Sequence, residues 1–346
     1  MRPLTIRRVV GYCLILLAVA LPVVLVSLKF GAVPVSLYGL GRDLVRVALG
    51  KGSELSSEYR LIVFDIRLPR IVLGLLVGAA LSVAGTSFQA LLRNPLADPY
   101  VLGVSSGAAL GAILSIVLEP FLHLSAALSA FLTPMGAFLG ALGTIVVVYF
   151  LGRKGGQLNS ATLLLAGVIS ASFLSSIIIF LMTTLTGGYF HNMAFWLMGD
   201  LSTAPPWQLI GFLGIGILLA TAAIYTTAVD LNLLLAGEQE AIHLGVDIRH
   251  VRLIVYVGAS VLTALAVSFG GAVGYVGLLV PHAMRFLFGP DHRVLLPTAA
   301  LGGAIAVVIA DTLARTVVAP RDLPIGAVTA VVGAPFFIYL MRRRLA

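Results

Sequence analysis

Charge is what this sequence is short of. Only 10% of its 346 residues are Asp, Glu, Lys or Arg, against about 25% in an ordinary soluble domain, which excludes a freely dissolved globular chain. Cysteine is almost missing. The single Cys13 excludes an intrachain disulfide and leaves the redox compartment unread. Lysine is scarce too: Lys29, Lys51 and Lys154 are the only ones, and none completes a G-x-x-x-x-G-K-[ST] loop. There is no H-E-x-x-H, and no Ser/His/Asp set that the sequence can place together. The chain is therefore expected not to be an enzyme and to hold no cofactor or metal. Any ATP chemistry has to sit on a partner.

What is present is apolar. Hydrophobic residues make up 60% of the chain, and mean hydropathy is +1.08. Uncharged runs of 20, 22 and 20 residues lie between Arg8 and Lys29, Arg70 and Arg93, and Asp98 and Glu119. A helix needs about 20 apolar residues to cross roughly 30 Å of hydrocarbon, and it satisfies its own backbone where lipid cannot. The class is all-α and polytopic, with one membrane domain over residues 1–346. Arg2, Arg7 and Arg8 before the first run resemble a signal peptide, but the run is too long and no small-residue cleavage site follows, so a retained first span is expected. The net charge of +8 follows from Lys and Arg kept on cytoplasmic loops. With no basic face and no motif, no nucleic-acid partner is expected.

Ten spans are expected, at 9–28, 70–92, 99–118, 130–151, 161–183, 207–229, 252–269, 272–288, 296–316 and 323–341. The uncharged run 253–284 is too long for one span, and Gly270-Gly271 breaks it near its middle. Both chain ends are basic, so an even count puts both in the cytoplasm. Thirteen of the 22 Lys and Arg then lie inside. "VGAALSVAGTSF" at 77–88 echoes "VGASVLTALAVSF" at 257–269 in spans of opposite direction, which points to an inverted repeat of spans 2–5 and 7–10.

The stretch "RNPLADPYVLGVSSGAALGA" (93–112) interrupts this pattern. Asn94-Pro95 stops a helix; Asp98 can cap the next, with Pro99 at its first position. Gly103, Ser105, Ser106, Gly107 and Gly111 then strip bulk from span 3, as helices in close contact within lipid require, whether for packing alone or beside a pathway. Residues 230–250, "DLNLLLAGEQEAIHLGVDIRH", form the longest polar cytoplasmic stretch between spans. A short helix closed by Gly245 is expected there, with Glu238 and Glu240 near its positive end.

"RLPR" (67–70), "ALLRNPLADPYVLGVSSGAALGA" (90–112), "FWLMGDLS" (195–202), "AGEQEAIHLGV" (236–246), "GYVGLLVPHAMRFLFGPDHRVLLP" (274–297) and "DLPIGAVTAVVGAPFFIYLMRRR" (322–344) together resemble the FecCD-type permeases of ABC importers for iron-siderophores, haem and cobalamin. The resemblance implies a ten-span subunit in the cell membrane that dimerises with a second copy or a paralogue. It also implies two cytoplasmic ATPase subunits that bind ATP and Mg, and a binding protein that delivers the chelate outside. Loop 230–250 would dock into the ATPase, with an A-x-x-L-G core at Ala241, Leu244 and Gly245; Gln239 stands where family members often carry an acid. Arg67, Arg70 and Arg315 would receive acidic side chains of the binding protein.

Other readings of these residues stay open. Arg67 and Arg70 can snorkel at the interface beside Asp65. Asp311, the acid set deepest in a span, can be proton-coupled or neutralised by Arg315 one turn on. An ion-coupled secondary transporter would rest on Asp311. The outer loop 187–200 reads as an interfacial aromatic belt, or as a haem-handling patch with His191 or Met193 as ligand. His282 follows Pro281 without an assigned role.

Overall fold

The computed structural model describes residues 5–31, 60–154, 157–185, 189–202 and 204–345. Arg2 and the outer cations between residues 32 and 59, which weighed in the orientation, lie outside these. Among the described residues thirteen α-helices follow one another: α1 Ile6–Lys29, α2 Leu68–Leu91, α3 Val104–Leu122, α4 Ala126–Leu151, α5 Ser160–Thr184, α6 Tyr189–Met198, α7 Trp207–Thr226, α8 Ala228–Ala236, α9 Glu238–His243, α10 Ile248–Gly270, α11 Val276–Phe288, α12 His292–Ala314 and α13 Ile325–Leu345. A π-helical turn, Leu61–Arg67, leads directly into α2, and a two-residue ladder pairs Arg153–Lys154 with Gln157–Leu158.

Eight of these helices are long and apolar enough to cross a membrane, and α11 and Ile325–Ile338 of α13 are shorter apolar helices. With these two the described residues hold ten apolar helical segments, close to the expected number, in a multi-pass membrane protein. The most hydrophobic windows of α2, α10 and α12 are 78%, 67% and 67% buried, against 6% for α1 and 22% for α5. These three helices therefore form the centre, and the others expose apolar faces to lipid. Close approach is what holds the centre, since lipid tails are as apolar as leucine and drive nothing together. A Cβ added at Gly78 would overlap the carbonyl of Gly303 on α12, and one at Gly85 that of Gly277 on α11.

The contacts repeat. Helix α3 packs on α4 and α5, and α4 on α5; α11 likewise packs on α12 and α13, and α12 on α13. Helix α2 touches α11 and α12, as α10 touches α3 and α4. Exchanging α2–α5 with α10–α13 maps this set onto itself. Four crossings lie between α2 and α10, so the halves run in opposite directions.

Several boundaries differ from the expected ones. Asp98 does cap, accepting from the Tyr100 N–H at 2.9 Å, but what it caps is a 3₁₀ turn, Pro99–Leu102. Gly103, at φ +73°, breaks that turn before α3 starts at Val104. Helix α10 ends at Gly270 as expected, yet α11 begins at Val276 instead of 272. At 13 residues it is about 20 Å long, and it is preceded by non-helical backbone at 271–275 in which Gly271 and Val273 are buried. Such backbone survives at depth only when protein partners satisfy it. Here the Gly270 carbonyl accepts from the Asp200 N–H, and the Val273 carbonyl accepts from Tyr100 Oη at 3.0 Å. The stretch read as an outer loop at 187–200 is mostly the helix α6. The 230–250 loop is mostly helical as well, as α8, α9 and the start of α10.

Candidate functional site

Helix α2 runs between two polar clusters at opposite ends of the bundle. At its C-terminal end lies the segment α8–α9. Gly237 separates the two short helices, and α9 closes as the glycine pattern foretold: Gly245 sits at φ +84°. Its N–H donates to Ile242 O, and that of Val246 donates to Ala241 O, the paired bonds of a Schellman motif. This closure fixes which side of α9 faces out. Ala241 is fully buried against the bundle, while Ile242 and Leu244 are 56% and 66% exposed. Gln239 and Glu240 are exposed as well. Glu238 instead turns inward, 2.9 Å from Arg252 Nη2 on α10 and 3.5 Å from Arg93 Nη2 at the end of α2. A cavity of about 310 Å³ beside α9 is lined by Tyr149, Arg153, Ile242, Val246, Arg249 and Arg252.

The preceding helix is stapled to the turn before α12. Asn232 Oδ1 accepts from the backbone N–H of His292 at 2.9 Å and contacts its Nδ1 at 2.7 Å; Asn232 Nδ2 donates to Asp291 at 2.8 Å. Hydrogen bonds from Arg293, then from Asn232, hold the Asp291 carboxyl down at about 2. The sequence offered no signal for this staple, because its partners lie about sixty residues apart.

At the other end of α2 the three arginines expected at a docking surface are buried, each less than a tenth exposed. Arg70 pairs with Asp311 at 2.8 Å and with Asp322 at 2.6 Å, and not with Asp65. Arg315 donates to Ser27 O and lies 3.6 Å from Asp311, so the expected one-turn pair is the looser of the two that Asp311 makes. Arg67 donates to Leu28 O at 2.6 Å. The cluster thus ties α1, α2 and α12 together. Asp322 and Ser27 were missed: Asp322 stood in a quoted motif without a role, and nothing marks Ser27.

The small residues of α3 face neighbouring backbones. A Cβ at Gly107 or Gly111 would overlap the carbonyl of Gly140 or Gly136 on α4, and one at Gly103 would lie 3.0 Å from Gly167 O on α5. Ser105 and Ser106 are half-buried beside them. On α6, His191 stacks on Phe195 at 4.5 Å. Met193 is 1% exposed in an apolar cluster with Ile113 and Ile178. Among the described residues no three His, Cys, Asp or Glu are grouped as a metal site.

Comparison with known proteins places this architecture. The profile of the FecCD transport family matches residues 15–343. The cobalamin import system permease protein BtuC of Halobacterium salinarum is 41% identical over 99% of this chain and 90% of its own length. The hemin transport system permease protein HmuU of Yersinia pestis is 38% identical over 98% and 96%. Among solved structures, an inward-facing metal-chelate type ABC transporter superposes with a TM-score of 0.81 at 30% identity, covering 96% of this chain and 98% of that one. With the match spanning nearly its whole length, the chain belongs to the FecCD transport family.

Proposed function

We propose that the chain is the permease subunit of an ATP-driven importer, carrying a metal chelate of the cobalamin, haem or siderophore kind. The observation that carries this is α9: a short helix held against the bundle by Ala241 that presents Ile242 and Leu244 outward, in a chain with no phosphate-binding loop of its own. Exposed apolar side chains beyond the lipid-facing helices mark a protein partner, and an ATPase subunit fits. The relatives named for cobalamin and hemin transport support the cargo class. The α9 end and both chain ends are cytoplasmic in this reading, the subunit pairs with a second copy or a paralogue, and ATP and Mg sit on the ATPase pair.

A binding protein would deliver the chelate at the Arg70 end. To engage Arg67, Arg70 or Arg315 its acids must compete with Asp311, Asp322 and the Ser27 and Leu28 carbonyls. Arg321, exposed near the same cluster, is a cation already presented to it. An ion-coupled transporter is disfavoured, since Asp311 is held between two arginines. The test is purification from native membranes in mild detergent, then uptake in proteoliposomes. A co-purifying ATPase and uptake that requires ATP are expected; uptake driven by an ion gradient without an ATPase would overturn the proposal.

A further inference from the structure

We infer that Glu238 is an internal strut and not an ATPase contact. It carries movement of α9 to Arg93 and through it into the segment 93–103. The inference rests on the importer reading and assigns one residue of that interface to a different task. Glu238 is the only acid of α9 that points at the bundle. Its carboxylate lies 2.9 Å from Arg252, which anchors it to α10, and 3.5 Å from Arg93. Glu240, two residues on, is exposed.

The backbone at Arg93 supports the same assignment. Helix α2 ends in its own Schellman motif, in which the Arg93 N–H donates to Ala90 O and the Asn94 N–H to Gln89 O. The left-handed residue of that motif, Arg93 at φ +50°, occupies a place that glycine fills at least cost. A long side chain kept in a strained conformation points to a use for the side chain. From Arg93 the chain turns back into the interior. Pro99 lies against Gly277 of α11, and Tyr100 Oη donates to Val273 O in the non-helical stretch that begins the α11 crossing. A continuous set of contacts thus joins α9 to the broken crossing inside the bundle. Spatial continuity is not coupling, so the pair has to be tested by a cycle.

The test uses the complete complex of chain, ATPase and binding protein in proteoliposomes, measuring cargo taken up per ATP hydrolysed. Arg93→Gly relaxes the turn while removing the charge, and Glu238→Gln removes the partner. Each is expected to keep the ATPase bound and to lower the ratio about two- to five-fold, the range of a half-exposed ion pair. The double variant is expected to be no worse than the poorer single one, and Arg93→Lys to restore most of the ratio. Multiplying losses, an unchanged ratio in Arg93→Gly, or release of the ATPase by Glu238→Gln would each overturn the strut alone. A wild-type complex without ATP-driven uptake would instead defeat the importer reading, and this inference with it.

Discussion

Replacing Asp311 with asparagine removes one charge and almost no volume from the cluster at the N-terminal end of α2. The carboxylate is 3% exposed and accepts two hydrogen bonds from Arg70 Nε, at 2.9 and 3.2 Å, besides the 2.8 Å ion pair with Nη2. Arg315 lies 3.6 Å away on its other side. With Asp322, two arginines face two aspartates; the substitution leaves two against one, both cations being buried. Breaking a buried pair by removing one partner costs about 3–5 kcal/mol, because the remaining charge stays desolvated. Asp322 is 37% exposed and solvent screens it, so Asp322→Asn should cost about 1 kcal/mol or less. Loss of helix on titrating the purified chain from mild detergent into SDS reads both. Replacing Arg70 and Asp311 together by Met and Leu should be milder than Asp311→Asn, since no desolvated pair remains to be broken there. Equal midpoints for Asp311→Asn and Asp322→Asn would show that the cluster is not structural and would return these arginines to a docking role.

Leu244→Asp places a charge on the outward face of α9 while Ala241 stays seated; it should release the ATPase on co-purification without shifting the SDS midpoint. Gly245→Val forces a β-branched residue to φ +84°, a cost of at least 1–2 kcal/mol, and should fray α9 and lower uptake per ATP. Normal coupled uptake in that variant would remove the α9 closure from the mechanism. Asn232→Ala strands two donors around His292 and should cost about 1–3 kcal/mol, seen as faster amide exchange across α8 than in wild type. The Asp291 carboxyl, held at about 2 against an ordinary 3.8, contributes fully above pH 3.8 and loses its contribution as the pH falls through about 2. Exchange across α8 should accordingly be unchanged from pH 7 to pH 5; a rise in that interval, after correction for intrinsic exchange, would contradict the staple.

Sequence alone determined the class, the succession of apolar segments and the local closures. Twenty-residue uncharged runs can only be helices in lipid, Gly270-Gly271 ends α10 because glycine tolerates the turn that no apolar helix former does, and Gly245 closes α9 for the same reason. These are properties of a few neighbouring residues and so are legible one segment at a time. Tertiary structure decided what each polar side chain meets. Arg70 and Asp311 are 241 positions apart, and only the packing of α2 on α12 makes them a pair; read singly, Arg70 looked like an interfacial cation and Asp311 like the partner of Arg315 one turn on, or a coupled acid. Glu238 and Leu244 sit six residues apart in one polar stretch, and the sequence does not say which of them faces the bundle; the helical turn between them sends the glutamate inward to Arg252 and Arg93 and leaves the leucine exposed. Burial in lipid makes an unpaired charge so costly that charges find partners across the fold, and that choice belongs to the packing, not to the order of residues.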